Sequence, residues 1–461
     1  MNASRPRRVA VIDIGKTNAK VVVLDGETGA EIAIRRTANG VVAGPPYPHY
    51  DVEALWSFIL SALASFAEAP GYDAISITTH GASAALLDAD GRLAMPVLDY
   101  EHGYPADVVS DYAALRPAFP ETCSPALPVG LNLGAQLHYQ KTVFSEAFAR
   151  VRTILTYPQY WAFRLTGVAA NEVTSLGCHT DLWNPGQGVY SSLVDRLEIR
   201  TLMAPVRSAF DVLGPVLPEV RRVIGLNAAV PVYCGIHDSN ASLLPHLIGR
   251  QPPFSVVSTG TWVICFAAGS DPAGLDPMRD TLSNVDTFAR PVPSARFMGG
   301  REFEILTQGV VEPSPEAMES AARAVIGKGV MVLPNAVDGS GPFPDRKGQW
   351  IGEPASEAER VAAVSLYVAM MTVTCLDLVK AAGPIIVEGP MSRNSVFLAA
   401  MASMTGRDVT VDTDAGTSGT ALGAALLAGV RPQARHPTVI SPSLDVGSYL
   451  GHWRAALVSD V

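Results

Sequence analysis

The residues of this chain best suited to chemistry lie in short polar segments at the ends of apolar runs. The first is Asp13-Ile14-Gly15-Lys16-Thr17-Asn18-Ala19-Lys20, between Val9-Ala10-Val11-Ile12 and Val21-Val22-Val23-Leu24. Two β-branched runs joined by a short Gly-containing polar segment predict a β-hairpin. One arm ends in a carboxylate, and the turn offers Gly15, Lys16, Thr17 and Asn18. That inventory suits a phosphate with Mg²⁺ beside it: backbone N–H and hydroxyl donors for the oxygens, Asp13 for the metal. An ordinary surface hairpin fits the same residues.

Gly15-Lys16-Thr17 has the look of the end of a P-loop, but that motif needs a glycine five positions earlier and a helix afterwards. Ala10 stands at the first place and strand-like residues at the second, so a P-loop is excluded. The hairpin pattern returns about half a chain later. Phe254-Ser255-Val256-Val257 leads through Ser258-Thr259-Gly260-Thr261 into Trp262-Val263-Ile264-Cys265-Phe266. Two hairpins of one design predict a duplicated architecture with two facing phosphate loops.

Three further segments carry candidates. Asp238 follows the short strand at 230–234 within Gly235-Ile236-His237-Asp238-Ser239-Asn240-Ala241. A carboxylate at a strand's carboxyl end can act as a general base; it can equally cap a helix over 238–244. His80, in Thr79-His80-Gly81-Ala82-Ser83, can hydrogen-bond a polyol or be a structural histidine. Gly389 and Asn394, in Glu388-Gly389-Pro390-Met391-Ser392-Arg393-Asn394, stand where a strand turns into a helix, which suits a nucleotide or simply a tight turn. Asp412 and Asp414, before Gly416-Thr417, read as caps.

The elements that must hold these groups follow from pattern. Strands are expected over 9–35, 74–79, 254–267 and 385–387, and a loop over the Gly- and Pro-rich 41–49. Asp51 can cap a helix through Leu55, Phe58, Ile59, Ala62, Leu63 and Phe66. Long helices are expected at 356–381 and, rich in Ala and Gly, at 417–429. With 461 residues, 48% of them hydrophobic, the chain is expected to form more than one domain: a tail at 1–8, then domains over 9–245 and 246–461. The net charge of −10 and the absence of a basic run beyond Arg5-Pro6-Arg7-Arg8 argue against nucleic acid as a partner. The 5 cysteines have no CxxC spacing, so reduced buried thiols and a cytoplasmic location are expected. No apolar signal core precedes Val9. The longest uncharged stretch, 361–376 between Arg360 and Asp377, falls short of the roughly 20 residues of a membrane span, so no membrane is expected. No G-x-S-x-G elbow or G-x-G-x-x-G is present.

Taken together, these pieces resemble the FGGY carbohydrate kinases of the actin-like ATPase superfamily, over about residues 9–430. Residues 13–20 look like the family's first phosphate motif, Ser258-Thr259-Gly260-Thr261-Trp262 like the second, and 235–241 like the catalytic segment. Arg164-Leu165-Thr166-Gly167 with 171–176, Leu333-Pro334 with Asp338-Gly339, residues 388–408 and Ala421-Leu422-Gly423-Ala424-Ala425 are similar to dispersed family patterns. The chain departs in having Lys16, in Gly389-Pro390-Met391 where a glycine run is usual, and in Tyr100-Glu101-His102-Gly103 where an aromatic-x-Asp-x-Arg pattern is usual.

The resemblance implies an α/β fold of two actin-like (ribonuclease H-like) domains with a ligand cleft between them, the first for sugar and catalytic base, the second for ATP. It implies Asp238 as base; Gly15, Lys16, Thr17, Asn18, Ser258, Thr259, Gly260 and Thr261 on the ATP phosphates; Gly389, Pro390, Met391 and Asn394 on adenosine. His80, Gly81, Ala82, His237 and Asp238 would hold the sugar, and Asp13 would place Mg²⁺ through water. ATP, Mg²⁺ and a small sugar are the expected ligands, and a homodimer is compatible. The 235–241 segment looks closer to L-fuculose and L-rhamnulose kinases, residues 79–82 to xylulokinase. A terminally phosphorylated deoxyketohexose is therefore expected, with a pentulose (xylulose or ribulose) or a non-sugar polyol such as glycerol as alternatives. A different class, an ATP-binding regulatory protein without turnover, would not need Asp13 and Asp238.

Overall fold

The computed structural model describes residues 6–310, 313–411, 419–431 and 437–459. It divides into two compact units. The first comprises Met1–Arg250, Ser283–Arg290 and Ala415–Ala434; the second comprises Gln251–Leu282, Pro291–Asp414 and Arg435–Val461. A single boundary near 245 therefore leaves out two later segments that return to the first unit.

The first unit is built on a mixed sheet of β1 (Arg8–Ile14), β2 (Asn18–Asp25), β3 (Glu31–Ala38), β4 (Ala74–Thr79), β5 (Val212–Pro215) and β6 (Pro231–Tyr233), in the order β5-β6-β4-β1-β2-β3. The β1–β2 hairpin is antiparallel with Asp13 opposite Lys20, and β4 runs parallel to β1. β1 and β4 are buried almost throughout because both faces are covered. Helix Val52–Glu68 covers one face with Leu55, Ile59, Ala62, Leu63 and Phe66; Asp51 caps it by accepting from Ala54 N at 3.0 Å. Each fully buried aliphatic side chain of this kind contributes about 1.5–3 kcal/mol. Arg8 is already paired with Asp25, and the Arg7 and Arg8 amides donate to Asp73. The expected tail at 1–8 is corrected by these contacts: its last two residues are tied down.

The second unit repeats the plan with β7 (Phe254–Thr259), β8 (Val263–Ala268), β9 (Pro291–Phe297), β10 (Ile385–Glu388), β11 (Val409–Val411) and β12 (Thr438–Ile440), in the order β9-β8-β7-β10-β11-β12. Here too a hairpin, β7–β8, lies beside a parallel strand, β10. Helix Glu357–Leu378, capped by Ser356, is apolar on nearly every face because helices and the sheet surround it. It is long and apolar enough to cross a membrane, and 83% of that apolar window is buried inside the unit. All five cysteines are buried, and none is in a disulfide.

Candidate functional site

Asp13 ends β1 with its carboxylate inside the first unit. The β1–β2 register puts Lys20 opposite, with Nζ 3.2 Å from Oδ2, and Thr420 Oγ1 donates to the same oxygen at 2.8 Å. Burial pushes the Asp13 carboxyl up, against the pull of the Lys20 ammonium. Thr420 belongs to helix Gly419–Leu427, which lies close on helix Asp238–Leu247. A Cβ on Gly423 would lie 1.7 Å from the Ala241 carbonyl oxygen, so only glycine permits this approach. One small-residue helix thus touches both Asp13 and the helix that begins with Asp238.

The turn after Asp13 is closed by Gly15 N donating to Asn18 O at 2.8 Å and by Asn39 Nδ2 donating to Gly15 O at 2.8 Å. Thr17 and Asn18 are exposed at its tip, their side chains joined at 3.0 Å. Lys16 points elsewhere. Its ammonium bonds Asp99 Oδ1, lies 3.4 Å from Glu101 Oε2 and sits over the Tyr100 ring at 4.5 Å.

Asp238 opens its helix immediately after the short strand Ile236–His237, which pairs with β4 beside Thr78 and Thr79. Its Oδ1 accepts from Ser239 N at 2.6 Å and lies 3.2 Å from His237 Nε2. About a third of its side chain remains open (31%), while the surrounding protein pushes the carboxyl above its ordinary range and His80 opposes that rise. His80 is on the same wall. Its Nδ1 lies 2.9 Å from Gly81 O, which fixes the proton there; Nε2 is then a bare acceptor, buried without a protein partner among the described residues. Burial lowers His80 and His237 to about 4, so both are neutral imidazoles near pH 7. Tyr50, Tyr157 and Tyr100 surround His80 with ring centroids at 5.0, 5.1 and 5.6 Å. Gly81 is required by His237, whose Nε2 would lie 2.6 Å from any added Cβ. Ala82 contributes its carbonyl, which accepts from Gln136 Nε2 at 2.5 Å. His80, Gly81, Ala82, His237 and Asp238 are thus gathered in one place.

A second layer fixes this segment. Gln159 Nε2 donates to Cys234 O at 3.0 Å and Gly235 O at 3.1 Å. The His237 amide donates to Thr174 Oγ1 at 3.1 Å, and that hydroxyl donates to Glu172 Oε2 at 2.5 Å. Glu172 is wholly buried; desolvation raises its carboxyl to about 7 against the Thr174 hydrogen bonds. Glu172 and Thr174 fall inside the 171–176 pattern, but neither was a sequence candidate, and Asp99 and Thr420 were missed altogether. Their partners are far along the chain, which no local signal reports.

In the second unit, the β7–β8 turn carries Ser258, Thr259, Gly260 and Thr261, with Gly260 N donating to Trp262 O at 2.9 Å. Gly260 and Thr261 are exposed. Helix Gly299–Thr307 starts directly behind the turn: a Cβ on Gly300 would lie 1.9 Å from Gly260 O. Thr259 Oγ1 bonds Glu388 O and accepts from Met391 N at 3.1 Å. Gly389, at φ 80°, would place a Cβ 1.8 Å from Thr259 O. The phosphate-loop candidates and Gly389-Pro390-Met391 therefore meet. Asn394 is turned inward instead: its amide caps helix Ser395–Thr405 through Phe397 N at 2.8 Å and bonds Ser365 Oγ at 2.9 Å. Asp412, Asp414, Gly416 and Thr417 lie outside the described residues.

Among the described residues no three His, Cys, Asp or Glu side chains cluster as a metal site. Asp13 alone fits a Mg²⁺ that keeps most of its waters and takes its other ligands from phosphate.

Comparisons with known proteins identify the family and the fold. Residues 9–245 match the N-terminal domain of the FGGY family of carbohydrate kinases, and residues 251–437 match "Carbohydrate kinase FGGY, C-terminal domain". A carbohydrate kinase from Novosphingobium aromaticivorans is similar at 38% identity and TM-score 0.91, covering 97% of this chain and 99% of that one. A xylulose kinase from Lactobacillus acidophilus shares the fold at 16% identity and TM-score 0.77, covering 98% and 97%. An L-fuculokinase from Salmonella typhi is 25% identical over 265 residues, 56% of this chain and 55% of that protein, so the match spans about half the length of that relative. Two family matches, over residues 9–245 and 251–437, together with the duplicated hairpin sheets, place this chain in the FGGY family of carbohydrate kinases.

Proposed function

We propose that the protein transfers the γ-phosphoryl group of ATP to a primary hydroxyl of a ketose, with Asp238 as general base. The observation that carries the reading is the pairing of a partly open carboxylate, raised by burial, with the bare Nε2 of a neutral His80. Asp238 accepts the proton of the sugar hydroxyl as its oxygen bonds to phosphorus and the bond to ADP breaks. His80 Nε2 accepts from a neighbouring hydroxyl and orients the acceptor. His237 N–H, anchored on Thr174, keeps Asp238 at the helix start. Thr17, Asn18 and Thr261, exposed at their turns, donate to phosphate oxygens; Gly15, Ser258, Thr259 and Gly260 shape those turns, the Thr259 hydroxyl and the Gly15 and Gly260 N–H groups being bound within them. Asp13 would hold Mg²⁺, which would supply charge neutralisation to the phosphates. Positioning and charge stabilisation of this kind account for most of such catalysis.

The second unit, through Gly389, Pro390 and Met391, is assigned to adenosine. Asn394 supports that segment as a helix cap rather than by touching the nucleotide. The deoxyketohexoses L-fuculose and L-rhamnulose are favoured as acceptors by the L-fuculokinase relative. A pentulose is the second reading, because the fold neighbours include xylulose kinases. ADP release with ATP and Mg²⁺ is the test, against L-fuculose, L-rhamnulose, D- and L-xylulose, D- and L-ribulose, gluconate and glycerol. Strong release with one deoxyketohexose supports the reading; release with a pentulose alone moves it to the second. Release with none sinks the kinase reading.

A further inference from the structure

We infer that Lys16 is a specificity-determining residue of the acceptor pocket and does not contact the phosphates of ATP. The inference rests on the kinase reading above. Lys16 stands in the phosphate hairpin, yet its side chain leaves the turn and joins the wall that carries His80. The ammonium is bound to Asp99 Oδ1, faces Glu101 Oε2 at 3.4 Å, and lies 4.5 Å from the Tyr100 ring centroid and 5.2 Å from that of Tyr50. Both rings pack on His80, at 5.6 and 5.0 Å. Asp99 is itself buried, at 8% side-chain exposure, so withdrawing Lys16 towards a phosphate leaves a buried carboxylate without its cation.

The chemistry of this corner specifies the ligand. An ammonium has three N–H donors; Asp99 engages one, and Glu101 faces the ammonium at 3.4 Å. A further N–H, with Glu101 (64% exposed) as acceptor beside it, forms a donor–acceptor pair that matches neighbouring hydroxyls of a polyol. One cation between two carboxylates leaves the corner net negative, and Asp238, which like Lys16 acts electrostatically on His80, adds to that. An acceptor bearing a carboxylate is therefore disfavoured, and a neutral polyhydroxy ketose is selected.

The test separates the two possible places of action. Lys16→Met removes the charge at nearly constant length; Lys16→Arg keeps it and changes the donor geometry, and serves if the Met variant does not fold. Calorimetry reads the affinity of wild type and variants for the best ketose and, separately, for a non-hydrolysable ATP analogue with Mg²⁺; steady-state rates read the two KM values. The expected result is a loss of at least about tenfold in ketose affinity with nucleotide affinity changed less than about twofold. Asp99→Asn shifts the ketose affinity in the same direction. Weakened nucleotide binding with unchanged ketose binding overturns the inference. A wild type that binds a ketose but never phosphorylates it sinks the kinase reading while the binding arm still decides Lys16. A wild type that binds neither ligand overturns both.

Discussion

Replacing Glu172 by glutamine flattens the pH dependence of the first unit's stability. Glu172 caps the short helix Val173–Leu176 by accepting from Thr174 N at 2.9 Å and Thr174 Oγ1 at 2.5 Å, with no exposed surface. Its other charged or titratable neighbours are Cys234 and Asp286, the latter paired with Arg290 at 2.8 Å. Desolvation raises the carboxyl from 4.5 to about 7. Between those values the folded chain holds a proton that the unfolded chain has released, so stability falls as pH rises. At about 1.4 kcal/mol per pH unit, the separation amounts to about 3 kcal/mol, absent below about pH 4.5 and complete above about pH 7. Glutamine offers the same acceptor oxygen without a charge. Its extra N–H₂ group adds an offset that does not depend on pH, so the slope is the readout. Urea denaturation at several pH values, followed by hydrogen exchange of peptides covering Ala74–Thr79, reads the first unit alone. Wild type is expected to lose about 3 kcal/mol more than Glu172→Gln between pH 5 and pH 8. Parallel curves for the two proteins would refute the claim that the Glu172 carboxylate is charged at a cost inside the fold.

Other outcomes follow from the same contacts. Gly423→Ala pushes a methyl group into the Ala241 carbonyl, which forces the Asp238 helix to shift; a loss of about 1–3 kcal/mol or more and a fall in kcat are expected from melting curves and rates. The imidazoles of His80 and His237, held at about 4, are expected to show no protonation above about pH 5.5 in ¹⁵N-histidine spectra, and a midpoint near 6.5 for either contradicts their burial. All five cysteines are buried thiols outside any disulfide, so a thiol reagent is expected to label none in the native protein and all five in urea.

The sheets and hairpins were legible because their signals are local. β-Branched runs, a polar turn with glycine, and Asp51 before a stripe of apolar residues each report on neighbours within a few positions. The place of Asp238, just after a short strand and at the start of a helix, was legible for the same reason. What the sequence hid depends on distance along the chain. Lys16 reads as a turn residue until Asp99, 83 positions later, draws its ammonium away. Thr420 meets Asp13 across 407 positions and gives no sign of it in composition. Asn394 shows the opposite difficulty: a polar residue before a helix fits a ligand contact or a cap equally well, and its buried amide decides for the cap. The return of Ser283–Arg290 and Ala415–Ala434 to the first unit is likewise a fact of packing with no local mark.

The central claim is that Asp238 takes the proton of the acceptor hydroxyl. Its most direct test is ADP release by Asp238→Asn with the best ketose, alongside calorimetric binding of that ketose. Asparagine keeps the side-chain shape and one acceptor oxygen but cannot take the proton, so kcat is expected to fall by about 10²-fold or more while the ketose still binds. Turnover within a few-fold of wild type, with binding intact, would contradict the account and remove Asp238 from the role of base.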